Sequence, residues 1–225
     1  MTNGEPGVPL TADIQIIIVD TCEPIPQICL EAWHCNFDVY SGIVTNGNGD
    51  SSNKPNLKAT FPRTISLSDD DVVINFNAVF PGHYIGRTTR VHVLVRSGTS
   101  LNAKSTLRGS NIVHVRQVYF DRDLILLFEP QEPYSRNTQE LTTNADDDIL
   151  AEEAVQVLLG DNLSYGIFAW IAFGIDVTWS HDISLTIYYT SERGVQDEEF
   201  SSLSGGPPPN GTAPIGNTNT RTGRL

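Results

Sequence analysis

The chain shows apolar and polar positions in alternation over several short segments, the pattern of half-buried β-strands. Turn-forming sequences such as Asn46-Gly47-Asn48-Gly49 separate these segments, and helical periodicity is confined to about Asp147–Leu159. The pattern therefore predicts an all-β fold, a β-sandwich or barrel with one short helix, rather than alternating strands and helices. The predicted strands are Ile14–Val19, Cys29–Trp33, Val72–Phe76, Val91–Val95, Ile112–Phe120, Phe168–Val177 and Ile183–Tyr189.

The predicted strands belong to one domain. A chain of 225 residues suits a single unit with a substantial core. From residue 198 onward the composition turns to Ser, Gly, Pro, Asn and Thr, which cannot bury enough apolar surface to fold. We expect a flexible N-terminus over 1–6, a β-sandwich domain over 7–197 and a disordered tail over 198–225.

Charge and hydropathy narrow the range of partners. The formal net charge is −13, and no cluster of Lys and Arg is present to neutralise phosphates, which argues against a nucleic-acid partner. No apolar run is long enough to span a bilayer, and the N-terminus has no secretory signal, so no membrane partner is expected.

Three cysteines lie close together in the sequence, and an odd number cannot all be paired within one chain. The spacing of Cys22 and Cys35 suits a disulfide between a turn and a strand, but the alternative of three thiols that include Cys29 stays open.

A polar group interrupts the strand predicted at Val91–Val95. Its valines leave one face, whereas Arg90 and His92 leave the other. The preceding turn brings Tyr84 and Arg87 to that second face. A lone strand histidine is usually only hydrogen-bonded, so His92 becomes a candidate ligand through these neighbours.

Four motifs follow one another in a characteristic order. Over about residues 7–190 their order and spacing resemble those of the intradiol ring-cleavage dioxygenases, especially the fungal, often extracellular, branch. The motifs are Trp33-His34-Cys35 with Val39-Tyr40-Ser41-Gly42, Phe80-Pro81-Gly82-His83-Tyr84, Gly86-Arg87-Thr88-Thr89-Arg90-Val91-His92, and His114-Val115-Arg116-Gln117-Val118-Tyr119-Phe120-Asp121.

The resemblance implies a β-sandwich of mixed sheets that holds a ferric ion, Fe(III). Tyr40, Tyr84 and His92 would be metal ligands, and phenolates with imidazoles suit ferric iron. Arg87 would stabilise negative charge on the ring, and Gln117 would orient the substrate. The implied partners are a catechol-type aromatic molecule and O₂, with cleavage of the ring between its two hydroxyl-bearing carbons.

One position departs from the family pattern. Arg90 occupies the place of a histidine ligand, and a guanidinium has no lone pair to coordinate a metal. It also adds positive charge beside any bound cation. His114 is a candidate replacement, whereas His34, His83 and His181 are interpreted as structural.

Three hypotheses therefore stay open. The first is an iron-dependent ring-cleaving dioxygenase. The second is a catalytically silent β-sandwich descendant, either aromatic-binding or structural, in which Arg90 hydrogen-bonds to Tyr40 and Tyr84. The third is a secreted binding module for carbohydrate or cell-wall phenolics, which rests on the β-rich pattern alone.

Overall fold

The protein is described by a computed structural model. Tyr40, His181 and the predicted tail lie outside the described residues, so the predictions made for them stay predictions. The described residues are 2, 4–25, 28–37, 62–68, 73–101, 107–108, 111–147, 155–158, 162–180, 187–189 and 194–196.

Within these residues the chain is largely built of strands, with one short α-helix and three 3₁₀ turns. The strands are β1 (Pro9–Ile18), β2 (Cys29–Trp33), β3 (Arg63–Leu67), β4 (Val73–Val79), β5 (Arg90–Ser97), β6 (Ser100–Leu101), β7 (Leu107–Arg108), β8 (Asn111–Tyr119), β9 (Val155–Leu158), β10 (Ile167–Ile175), β11 (Ile187–Tyr189) and β12 (Gly194–Gln196). The helix is α1 (Arg122–Phe128), and the 3₁₀ turns are Tyr134–Arg136, Asn144–Asp146 and Leu163–Tyr165.

Two four-stranded sheets form the sandwich. The first has the order β4-β1-β10-β9 and is mixed, because β1 and β10 run parallel while its other pairs are antiparallel. The second has the order β3-β2-β5-β8 and is antiparallel throughout. Two short hairpins, β6-β7 and β11-β12, complete the described strands. The predicted all-β sandwich is therefore confirmed.

The main core lies between the two sheets. Alternation puts one apolar row of each strand into this layer, which excludes water and stabilises the sandwich. The valines of β5 follow the prediction, since Val93 and Val95 are fully buried in this core. Residues from both sheets that share it are Ile14, Ile16, Leu30, Ala32, Ile74, Phe76, Val113, Val118, Phe173 and Ile175.

A second apolar cluster lies under α1. The Asp121 carboxylate caps the helix by accepting hydrogen bonds from the backbone N–H groups of Asp123 and Leu124. Ile125 and Phe128 on the inner side of α1 contact the cluster that contains Phe80 and Phe120. This packing holds in place the chain that follows β8, next to the site described below.

One short helix is present, but its predicted position was wrong over Val155–Leu158, while residues 148–154 lie outside the described residues. The chain from Val155 to Leu158 is a strand, which pairs antiparallel with Ile167–Trp170 of β10, and the helix occurs instead at Arg122–Phe128. The backbone pairing of β9 with β10 is a tertiary interaction, and it outweighs the weak helical periodicity of this segment.

The three cysteines are free thiols, so the disulfide considered for Cys22 and Cys35 does not form. Burial raises the pKa of Cys29 and of Cys35 to about 11, although nearby arginines act in the opposite direction. The described residues contain no helix with the length and hydrophobicity needed to cross a membrane.

Candidate functional site

One row of side chains crosses the outer face of the second sheet. The strand register sets Arg63, Trp33, His92 and Gln117 directly opposite one another on β3, β2, β5 and β8. The Trp33 and His92 rings stack with 5.0 Å between centroids and 6° between planes, and the Arg63 guanidinium lies 4.8 Å from the Trp33 ring centre. All four side chains are half-buried, so the row faces solvent on one side.

Two glycines bring the loop between β4 and β5 onto this face. A Cβ at Gly82 would lie 2.4 Å from the carbonyl oxygen of Asn36, so only glycine lets the loop approach the chain just after β2 so closely. Gly86 has φ of 85°, a left-handed conformation that suits glycine, and it closes the turn in which the Arg87 N–H donates to the Tyr84 carbonyl. Tyr84 and Arg87 thereby reach the same face as His92.

His83 anchors the same loop from behind. Its Nδ1 lies 2.9 Å from the Glu129 carboxylate and its Nε2 lies 3.0 Å from the Gln139 carbonyl oxygen. Burial acts to lower the pKa of His83, but the two hydrogen bonds and the charge of Glu129 outweigh it, so the pKa is raised. His83 is therefore structural, as its sequence context suggested.

Arg87 is the centre of a closed polar network. It is 6% exposed, and its Nε donates to both oxygens of the Asp147 carboxylate at 3.1 and 3.0 Å. Its Nη2 donates to the Gln117 side-chain oxygen at 2.6 Å and to the Tyr119 hydroxyl at 2.9 Å. The Tyr119 hydroxyl donates in turn to Gln117 at 3.0 Å. We call Arg87, Gln117, Tyr119 and Asp147 the Arg87 network.

Arg90 has different surroundings. It is 3% exposed, its Nη1 donates to the Thr88 carbonyl oxygen at 3.0 Å, and its Nη2 donates to the Tyr84 hydroxyl. The guanidinium carbon lies 4.7 Å from the centre of the Tyr84 ring. Among the described residues no carboxylate contacts Arg90, and its Nε is buried without a hydrogen-bond partner. We call Arg90 and Tyr84 the Arg90 pair.

Burial and the neighbouring arginines together set the protonation state of His92. Burial, and then the positive charges of Arg90, Arg87 and Arg63, hold the pKa of His92 well below its usual value. The His92 imidazole is therefore neutral at neutral pH and has a lone pair to offer. Burial lowers the pKa of Arg90 as well, but an arginine stays protonated in a protein.

The predicted site residues assemble in part. Arg87 contacts Gln117, His92 lies opposite Gln117, and Tyr84 contacts Arg90, whereas Tyr40 lies outside the described residues.

Two other histidines lie away from this face. His114 packs against Phe173 of the first sheet, with 5.2 Å between ring centroids, so it lies on the inner face of β8 and cannot replace a ligand at Arg90. His34 is 1% exposed, and its Nδ1 bonds the Cys35 carbonyl oxygen at 2.7 Å.

Sequence reasoning missed two members of the Arg87 network. Tyr119 follows Gln117 by two positions on β8, so strand periodicity was a usable signal that both face the same side. Asp147 gave no local signal, because it lies 60 positions from Arg87 in the sequence. It also accepts a hydrogen bond of 2.8 Å from the Thr88 backbone N–H, which ties the chain before β9 to the start of β5.

The fold is similar to that of known dioxygenases. An intradiol ring-cleavage dioxygenase from the mite Tetranychus urticae matches with a TM-score of 0.66 at 19% identity, over 80% of this chain and 87% of that one. A second solved dioxygenase structure matches with a TM-score of 0.65 at 16% identity, over 80% of this chain and 86% of that one. No protein-family model and no curated protein matches the sequence.

The chain therefore has the fold of the intradiol ring-cleavage dioxygenases. At these identities the similarity establishes the fold and leaves the activity to the site residues. The fungal branch of the resemblance stays a prediction.

The described residues do not fit a ferric ion at this site. The Tyr84 oxygen, which would have to coordinate the metal, accepts a hydrogen bond from the Arg90 guanidinium. That guanidinium is buried rather than turned to solvent, and a fixed positive charge there repels a cation. Of the three ligands predicted from the sequence, Tyr84 and His92 are described. Tyr84 is hydrogen-bonded to Arg90, whereas the His92 lone pair has no contact with Arg90.

Proposed function

We propose that this protein binds catechol-type aromatic molecules on the intradiol dioxygenase fold without cleaving them. The observation that carries the proposal is the hydrogen bond from the buried Arg90 guanidinium to the Tyr84 hydroxyl. It puts an organic cation where ring-cleaving chemistry would need a metal ion.

The Arg87 network supports the binding part of the proposal. Arg87 and Gln117, the two residues expected to face a substrate, are in contact, and the Asp147 carboxylate fixes the orientation of the Arg87 guanidinium. Gln117 is half-buried, so it is the member of the network that a ligand reaches first. Preorganised donors of this kind recognise hydroxyl groups at little entropic cost.

Calorimetric titration with catechol tests the proposal. Protein dialysed against a chelator is compared with protein reconstituted with ferric iron, and both forms are expected to bind catechol with equal affinity. The variant Gln117→Ala should bind at least five-fold more weakly, whereas Gln131→Ala on the exposed chain after α1 is the matched control. Binding that requires iron would contradict the proposal.

The second candidate function is the iron(III)-dependent ring-cleaving dioxygenase. Tyr84, Arg87, His92 and Gln117 share one face of the sheet, which is the observation that favours it. In this candidate Tyr40, Tyr84 and His92 hold the iron, Arg87 and Gln117 face the catechol, and O₂ is the second substrate. It requires the Arg90 guanidinium to leave the Tyr84 hydroxyl.

Iron reconstitution of the wild-type chain and of Arg90→His separates the two candidates. We expect a colourless wild type that consumes no oxygen with catechol, and a variant that gains the broad visible band of tyrosinate bound to iron. A coloured wild type with catechol-dependent oxygen uptake would establish the dioxygenase instead.

A further inference from the structure

The Arg90 guanidinium is a buried positive charge that no carboxylate of the described residues contacts, although the charge of Asp147 acts on it from a distance. Two other arginines near His92 are paired, Arg87 with Asp147 and Arg63 with Glu31. Arg90 contacts only neutral oxygens, although the chain carries 27 acidic residues and a net charge of −13. A buried, unpaired cation is unfavourable, and an anionic ligand that pairs with it is correspondingly stabilised.

The hydrogen-bonding capacity of Arg90 points to the shape of that anion. A guanidinium has five N–H donors, and the Nε donor of Arg90 is buried without a partner. The remaining contacts go to a backbone carbonyl and to the Tyr84 hydroxyl, which is a neutral acceptor. A carboxylate spans two adjacent N–H groups of arginine and forms shorter, charge-assisted bonds.

The surroundings of Arg90 favour an aromatic ligand. Tyr84, Trp33 and His92 supply three half-buried rings on the same face of the second sheet. Tyr84 is the group that a carboxylate would replace on the guanidinium, because its hydroxyl occupies Nη2 and its ring is partly exposed. The exchange substitutes a charged acceptor for a neutral one.

We propose that Arg90 is the recognition residue for the carboxylate of an aromatic acid, which displaces the Tyr84 hydroxyl and binds without a metal or a catechol hydroxyl pair. This inference rests on the proposed function, because it assigns the charge of the ligand at the same site.

Benzoate is the probe, since it has a carboxylate and no hydroxyl groups. Binding is measured by calorimetry at pH 7.5 in excess chelator, with catechol as the second probe. We expect Arg90→Met to weaken benzoate binding at least 30-fold and Tyr84→Phe to tighten it two- to ten-fold, because the competing hydroxyl is gone. Arg116→Met, on the inner face of the same sheet, should stay within three-fold. Thermal melts verify that each variant is folded.

The outcomes separate this inference from the proposed function. Benzoate binding that depends on Arg90 supports the inference, and the same affinity in wild type and a folded Arg90→Met overturns it. Catechol binding without benzoate binding overturns the inference and leaves the proposed function intact. Benzoate binding without catechol binding overturns the proposed function and leaves the inference intact. If neither probe binds, the inference and the proposed function are both overturned.

Discussion

Two buried arginines lie close together in the sequence, Arg87 in the loop before β5 and Arg90 at the first position of β5, yet their charges have different surroundings. In the Arg87 network, the Asp147 carboxylate and two side-chain acceptors surround the guanidinium. In the Arg90 pair, no carboxylate among the described residues contacts the guanidinium, and a buried Nε lacks a partner.

Burial and pairing are therefore separate properties of a charge. In the Arg87 network the guanidinium has a carboxylate partner and two further acceptors without any ligand, so the network forms a rigid side of the site. The Arg90 pair is incomplete, and buried donors without partners persist mainly where a function compensates for them. The described atoms without partners also include the Thr89 hydroxyl and His34 Nε2, near the start of β5 and the end of β2, and the Thr99 hydroxyl beyond the other end of β5.

Loss of the Asp147 carboxylate from the Arg87 network is expected to lower the stability most. Asp147→Asn removes the counter-charge of a buried guanidinium, and we expect the free energy of unfolding to fall by about 3–5 kcal/mol. Urea denaturation measures it. The neighbouring Asp146 is exposed, so Asp146→Asn should change stability by less than about 0.5 kcal/mol. Equal effects of the two substitutions would show that the ion pair with Arg87 contributes nothing.

The pH dependence of stability tests whether water enters the cavity between the two sheets that His34 lines. His34 lines a mostly apolar cavity of about 30 Å³ and its Nε2 lacks a partner among the described residues. Burial lowers the pKa of His34 to about 4, from 6.5. The stability is thus fully present above pH 6.5 and is lost as the pH falls toward 4, by about 3 kcal/mol in all.

Denaturation of wild type and His34→Gln between pH 4 and 7 measures this loss, which the variant should lack. His83 gives the opposite sign. Its pKa is raised in the folded state, so its contribution is present below the unfolded pKa and is lost as the pH rises through the folded pKa. An identical pH profile for wild type and His34→Gln would mean that water reaches His34.

Within the Arg87 network, the Tyr119 hydroxyl is expected to matter less than Asp147. Tyr119→Phe removes an acceptor for the Arg87 guanidinium and a donor to Gln117, but it leaves the ion pair intact. Because one of the lost hydrogen bonds involves a charged group, we expect a loss of about 1.5–3 kcal/mol by urea denaturation. Tyr165→Phe, at an exposed tyrosine, is the control. A loss no larger than in that control would contradict the network.

Strand periodicity predicted much of this fold because its physical basis is local. Alternation along β5 gave the right faces for Val93 and His92, and Cys29–Trp33 has the predicted bounds. The helix was misplaced because the pairing of Val155–Leu158 with β10 is a tertiary interaction that no local pattern carries. Asp147 was missed for the same reason, since only folding brings it to Arg87. The sequence showed that Arg90 replaces a histidine, but it predicted the hydrogen bond from Arg90 to Tyr84 only under one of three hypotheses.

Arg90→Met is expected to change the stability least. Arg90→Met removes a buried cation without leaving an opposite charge behind, so the desolvation cost of the guanidinium disappears together with its bonds to neutral oxygens. We expect stability to change by less than about 1 kcal/mol or to rise, whereas Arg87→Met, which strands the Asp147 carboxylate, should lose about 3–5 kcal/mol. Urea denaturation of both variants decides it. A large loss in Arg90→Met would mean that Arg90 stabilises the fold itself, and the unpaired charge would then need no ligand to account for it.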